Sequence, residues 1–333
     1  MEEFLYHLRT FVTPTVSVFG DLGNILCLLV LFRIKQSSSK CTCVIALTVS
    51  YLLYLLVYQL NWIALHALKR RLSSNAEFCQ LSTFLEDSSS FLVNWFMTLL
   101  CVERLMFYWS PAVYSTTCSN VRALVAVFCI ALVCVVLNVN FAVTKGVVED
   151  YPGYPSCVIM QTHPLVKPLV KMAAETIITN LFPCVIIPFS LVACLLLRLS
   201  RHRSENNYIV KDNFGSAFSA ITVTYILLYF PLSTHRLSVV YRAVTVEDYA
   251  GITNQNELFA IAVWNNLSRI SLSLLLPTLL LWKPFRAQFV RLFRRCEVRS
   301  TSRHNIEECV EMKEEENACM KTENQDDQGG END

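Results

Sequence analysis

Charge is scarce in this 333-residue chain: Asp, Glu, Lys and Arg together make up 17% of it, against about a quarter in soluble domains. Glycine is scarce too, with 8 residues, which excludes a collagen-like repeat and a glycine-rich linker. A net charge of +1 leaves no basic excess, so nucleic acid is not an expected partner. There is no nucleophile motif, no paired histidine at metal-ligand spacing and no phosphate-cradling glycine loop. The six histidines are scattered singly, so neither an enzyme nor a metal or cofactor site is expected. No internal repeat is visible, which weakens a transporter built of duplicated halves. The start, Met1-Glu2-Glu3, lacks the basic region of a cleavable signal peptide.

What is abundant is apolar surface: 53% of residues, with a mean hydropathy of +0.41. A membrane span needs about 20 apolar residues. Seven stretches qualify: Pro14–Phe32, Val44–Leu68, Leu81–Phe107, Val121–Val143, Thr176–Leu197, Phe214–Val240 and Leu258–Trp282. The third holds Glu86, Asp87 and Ser88-Ser89-Ser90, and is kept because polar groups in a bundle face neighbouring helices. The expected fold is therefore all-α, a bundle of seven membrane-spanning helices. Three regions follow: an outer terminus (1–13), the membrane domain with a juxtamembrane helix (14–296), and a tail (297–333).

Lys and Arg set the orientation. One side carries Arg33, Lys35, Lys40, Arg104, Arg122, Arg198, Arg201, Arg203, Lys211, Lys283, Arg286, Arg291, Arg294 and Arg295. The other carries Arg9, Lys69, Arg70, Arg71, Lys145, Lys167, Lys171, Arg236 and Arg242. The bias puts the amino terminus outside and the carboxyl terminus in the cytoplasm of a multi-pass plasma-membrane protein. After Trp282, Phe285, Phe289, Leu292 and Phe293 alternate with Arg286, Arg291, Arg294 and Arg295, an amphipathic basic helix suited to anionic membrane lipid. Cys296 ends it where a juxtamembrane thiol is a palmitoylation candidate; the competing reading is an ordinary buried thiol. From Arg299 the tail turns polar and acidic, a composition that favours disorder.

Of 14 cysteines, most fall inside spans or on the reducing side. Cys79, at the outer end of the third span, and Cys157, in the loop after the fourth, are the two on the oxidising side. Two outer cysteines make one bridge, which ties the Val143–Met172 loop over the third helix.

Spacings then narrow the class. Glu103-Arg104-Leu105 lies 25 residues after Cys79, with Pro111 seven residues after Arg104. Gly23-Asn24 falls in the first span and Leu47-Thr48-Val49 in the second. Phe230-Pro231 has Tyr225 six residues before the proline, and Pro277 precedes Phe285-Arg286. In order and spacing, over about residues 12 to 296, these resemble the signatures of rhodopsin-like (class A) G-protein-coupled receptors. The stretch Cys118 to Ala123 is similar to the second inner loop of invertebrate FMRFamide-type neuropeptide receptors. The resemblance implies kink or switch positions at Pro188 (with Pro183 competing), Tyr225, Pro231 and Pro277. It also implies that Arg104, held by Glu103 at rest, contacts a heterotrimeric G protein once the sixth helix moves outward. The chain departs from the family in carrying Tyr51 for the second-helix aspartate and Leu276 for the seventh-helix asparagine. Leu280 stands for a tyrosine, Tyr229 for the sixth-helix tryptophan, and the fourth span has no tryptophan. Without those oxygen donors no internal sodium site is implied. Lys211 falls near the place of the usual acidic partner of Arg104, so the resting lock is expected to be local.

On the third span Ser82, Glu86, Ser90, Asn94 and Thr98 recur every four residues and draw a slowly drifting polar stripe. A carboxylate in the outer third of a span needs a cationic partner. Two readings stand side by side: Glu86 or Asp87 receives a basic group of a ligand, or it pairs internally with Arg236, near His235. Tyr229, His235, Trp264 and Asn266 complete a candidate ligand cavity. The expected activity is reception of an extracellular ligand, a short peptide above all, with a small amine as the alternative ligand. A transporter using Asp21, Glu86, Asp87 and Glu175 is the alternative class.

Overall fold

The computed structural model describes residues 2–34, 38–66, 76–143, 145–151, 154–159, 176–203, 214–245 and 255–292. Cys296 and the tail, the Lys69-Arg70-Arg71 cluster and Lys211 lie outside the described residues, as do the side chains of Cys157 and Arg236. The chain falls into two compact units, Met1–Phe285 and Arg286–Asp333.

The first unit begins with a short helix α1 (Glu2–His7) and a π-helical turn π1 (Leu8–Val12), then α2 (Thr13–Leu31). Then follow α3 (Ser39–His66), α4 (Ala76–Trp109), α5 (Pro111–Thr117) and α6 (Asn120–Val143). A hairpin β1 (Lys145–Tyr151) and β2 (Tyr154–Ile159) comes next, then a π-helical turn π2 (Ile177–Leu181) leading into α7 (Phe182–Arg203). The remainder is α8 (Gly215–Leu228), α9 (Phe230–Thr245), α10 (Gln255–Ser273), α11 (Leu275–Leu279) and a helix over residues 283–292. In the second unit, residues 286–292 are the described part, and they continue as helix with Arg286 and Arg291 exposed.

Among the described residues, six helical stretches are long and apolar enough to cross a membrane: Thr10–Leu31, Ser39–Ala64, Glu77–Trp109, Asn120–Val139, Ile177–Ser200 and Phe259–Leu279. They coincide with the first five and the last of the seven stretches read from the sequence. The sixth, Phe214–Val240, is not one uninterrupted helix. It is α8, of 14 residues, and α9, of 16, parted at Tyr229. The cause is local. Pro231 has no N–H to give to the carbonyl of Leu227, and its ring crowds the preceding turn. The Leu232 N–H instead makes a tight bond to the Tyr229 carbonyl, at 3.1 Å. Pro277 acts likewise between α10 and α11: Leu274 forms a turn whose N–H is shared by Ile270 and Ser271 carbonyls at 3.1 and 3.2 Å.

The all-α expectation holds for the bundle, and beside it the described residues include one hairpin. β1 and β2 pair antiparallel, with Val147 opposite Cys157, and β1 packs against α4.

α4 is the central helix, packed against α3, α6, α7, π2 and β1. Its buried side is mixed, with Phe91, Val93, Phe96, Met97, Leu100 and Cys101 alongside Ser90, Asn94 and Thr98. Between α2 and α10 the packing is tight at Gly20, where a Cβ would collide with Ser273 Oγ, lie 2.7 Å from Leu55 Cδ1 and 3.0 Å from Ser273 Cβ. Small residues permit such helix approaches where water gives no driving force between apolar faces. Gly20→Ala is therefore expected to destabilise the bundle by about 1–3 kcal/mol, the cost of overpacking. A lowered midpoint in thermal unfolding of the purified chain checks this.

Candidate functional site

Two polar clusters are built into the bundle, one at the Trp109 end of α4 and one midway along it. At the end of α4 near Trp109, Glu103 and Arg104 are buried, 4% and 1% exposed. Arg104 Nε donates to Glu103 Oε2 at 2.5 Å and Nη2 to Oε1 at 2.6 Å, a two-pronged pair. Charge-assisted bonds of this kind are the strong ones. Ser110, exposing its side chain to the Val113 N–H, starts α5 and turns the chain back. That return brings the Tyr114 hydroxyl to Glu103, donating to Oε1 at 2.6 Å while accepting from Arg104 Nη2 at 3.2 Å. Burial first, and then the adjoining Glu103 charge, hold the Tyr114 phenol protonated, well above the ordinary range. The guanidinium is boxed by rings: Phe107 at 4.9 Å, Phe214 at 5.4 Å and Tyr114 at 5.9 Å. Phe214 is fully buried at the start of α8 and packs edge-on against Trp282, centroids 5.0 Å apart. Arg104 is thus gripped by its own helix, by α5 and by the start of α8.

The second cluster lies deeper along α4. Asn94, fully buried, donates from Nδ2 to the Thr179 carbonyl at 2.8 Å and to Asn180 Oδ1 at 3.4 Å. Thr179 and Asn180 belong to π2, whose wider turn leaves a carbonyl free to accept. Asn94 Oδ1 accepts from the Tyr225 hydroxyl at 2.5 Å. One turn along α4, Ser90 and Tyr229 share a hydroxyl–hydroxyl bond of 3.1 Å. Tyr225 and Tyr229 stack at 4.9 Å, and Tyr54 of α3 meets Tyr229 edge-on at 6.4 Å. Tyr229 is the break between α8 and α9, so the helix discontinuity is held to α3 and α4 by these contacts.

The residues expected to form a ligand cavity divide. Tyr229 sits in the cluster. Ser90, Asn94 and Thr98 are buried, but Glu86 is exposed and does not share their inward side. Asp87 is half-buried instead, with Oδ2 inside. Asn266 is buried and engaged, accepting from the Thr13 hydroxyl and donating to the Ala262 carbonyl at 2.7 Å. That makes it a tie between α10 and α2. His235 and Trp264 are half-buried. Pro188 lies inside α7. Tyr51 is buried at 2% exposure and Leu276 faces Gly23, while both ends of the buried Asn24 amide lack a protein hydrogen-bond partner.

Sequence reasoning passed over four participants: Tyr114, Phe214, Tyr58 and Arg269. Arg269 carried its own signal, since a guanidinium in mid-span is costly enough to mark function. It lies over the Tyr58 ring with the guanidinium carbon 3.5 Å from the centroid. Nearby on α3, Gln59 Nε2 donates at 2.5 Å to Oδ2 of Asp21, a buried carboxylate of α2.

Cys79 is buried and disulfide-bonded, whereas Cys27, Cys41, Cys43, Cys101, Cys118, Cys129, Cys134, Cys184 and Cys194 are thiols. No model in a scan of protein families matches the chain, and a search of curated proteins finds no match.

Proposed function

We propose that the chain is a divergent rhodopsin-like receptor, in which α8 and α9 together make a seventh, kinked crossing of the plasma membrane. It takes an extracellular ligand, a short peptide or another small molecule, and activates a heterotrimeric G protein. The carrying observation is the buried Glu103–Arg104–Tyr114 cluster closed by Phe214. An arginine buried at the inner membrane boundary is costly unless paired; Glu103 supplies the pair, and one ring of the enclosure, Phe214, is set by where α8 begins. Movement of α8 withdraws Phe214 and opens the guanidinium to a cytoplasmic partner. The same α8 carries Tyr225, and its end carries Tyr229, so ligand contact around Ser90 and Tyr229 is mechanically joined to Arg104. The test is a peptide and amine library applied to transfected cells, with second-messenger output read against untransfected controls. Ligand-dependent output supports the receptor; electrogenic uptake without it favours the transporter reading, which the buried Asp21 supports.

Cys157 is the proposed partner of Cys79. Support comes from the bonded state of Cys79, from the packing of β1 on α4, and from Cys157 standing opposite Val147 in the adjoining strand. Loss of such a bridge costs about 2–5 kcal/mol, so Cys79→Ser and Cys157→Ser are each expected to empty the cell surface of receptor. Non-reducing peptide mapping should find the two peptides linked; two free thiols in surface protein contradict the pairing.

A further inference from the structure

Where α2, α3 and α10 adjoin, three buried polar atoms have no hydrogen-bond partner: Asp21 Oδ1, Ser17 Oγ and Arg269 Nε. Asp21 is 6% exposed, and Ser17, one turn before it on α2, is fully buried. The other carboxylate oxygen of Asp21 accepts from Gln59 Nε2 of α3 at 2.5 Å. The residue before Gln59 is Tyr58, whose ring carries the Arg269 guanidinium. Carboxylate and guanidinium are thus seated on consecutive residues of one helix. α2 and α10 are tied to each other on both sides of that level. Asn266, three residues before Arg269, holds Thr13 of α2, and Ser273, four residues after it, donates to the Val16 carbonyl at 3.1 Å. Arg269 stands about 40–60° around α10 from those two ties. Among the described residues neither Asp21 nor Arg269 is in a direct ion pair. Each charge alone is expensive inside a bundle, and one ring and one amide offset a part of that cost.

We infer that Asp21 and Arg269 are the two halves of one buried ion pair that fastens α2 to α10, with Gln59 and Tyr58 as the seats on which the halves rest while the pair is open. Turning the guanidinium from the Tyr58 ring to Asp21 Oδ1 and Ser17 Oγ satisfies all three orphaned atoms at once. The guanidinium has five donors, enough for the carboxylate and the hydroxyl together. The same side chains therefore have two arrangements, open as seen here and closed, and Arg269 leaves α3 in the closed one. Asp21 so engaged is a counter-charge, and the transporter reading loses its support there. The inference needs the helix bundle alone and does not rest on the receptor reading.

The full chain, purified in detergent, is unfolded by heat beside Asp21→Asn, Arg269→Gln and the double variant. Removing one half of a buried pair leaves the other uncompensated, whereas removing both leaves no charge behind. Each single variant is expected to lower the midpoint by roughly 4–8 °C, and the double variant by no more than the worse single one. Arg269→Lys keeps the charge and should recover part of the Arg269→Gln loss. Arg269→Gln that costs as much in the Asp21→Asn background as in the unmutated chain overturns the inference, because the cation then depends on Tyr58 and not on Asp21. Where a single variant is too unstable to purify, the same comparison is read as abundance at the cell surface. The doubly neutral chain is then expected in higher amount than that single variant, and equal or lower abundance overturns the inference.

Discussion

If the proposed coupling holds, Glu103→Gln is expected to raise ligand-independent second-messenger output and to lower the thermal midpoint of the purified chain. The glutamate makes both prongs of the Arg104 pair and accepts from Tyr114. Removing its charge leaves a buried guanidinium held by rings and one phenol, and breaking a buried pair from one side costs about 3–5 kcal/mol. Part of that cost is recovered when Arg104 leaves the cluster for the cytoplasmic surface, which is the proposed active arrangement. Arg104→Ala is expected to do the opposite: no output with or without ligand, at unchanged ligand affinity, because the cluster lies three turns along α4 from Asn94. Tyr114→Phe removes one donor and should give a smaller rise in basal output than Glu103→Gln. Equal output from the glutamine variant and the unmutated chain contradicts the lock.

Asn94→Leu is expected to be the most damaging single change in the deeper cluster. Three groups lose their partner together: the Tyr225 hydroxyl, the Thr179 carbonyl and Asn180 Oδ1. A buried polar group without a partner costs about 1–3 kcal/mol, so the sum exceeds what a typical core truncation costs. Tyr225→Phe orphans Asn94 Oδ1 alone and should cost about 1–3 kcal/mol. Thermal unfolding of both single variants and the double variant gives the coupling directly. A double variant no worse than Asn94→Leu alone is the expected sign of one shared network, and strict additivity contradicts it.

How far the residues themselves foretold this arrangement varies with the range of the contact. Arg104 with Glu103 was readable because the pair is adjacent in sequence and both are charges in an apolar stretch. Tyr114 was not, since its contact is made only after Ser110 and Pro111 start a short helix that folds the chain back. The third-helix stripe was half right for a geometric reason. Steps of four residues drift by about 40° each, so Glu86 ends roughly 80° away from Asn94. Asp87 stands seven residues from Asn94, about 20° off its line, and it is Asp87 that is turned inward. The break at Tyr229 was signalled by Pro231, although hydropathy alone joined both sides into one span. The hairpin was signalled by Pro152-Gly153 between two runs rich in Val, Tyr and Ile, and the apolar count of the neighbouring spans overshadowed it. Arg269 was passed over because it lies inside a span and so drops out of any tally of loop charges.

The most direct measurement is nucleotide exchange on purified heterotrimeric G proteins by the chain reconstituted in lipid nanodiscs, comparing the unmutated chain, Glu103→Gln and Arg104→Ala. At least one heterotrimer is expected whose exchange is accelerated by Glu103→Gln without ligand, less by the unmutated chain, and not at all by Arg104→Ala. Exchange that Arg104→Ala accelerates as well as the unmutated chain, or that Glu103→Gln accelerates with no heterotrimer of a full panel, contradicts the proposed coupling through Arg104.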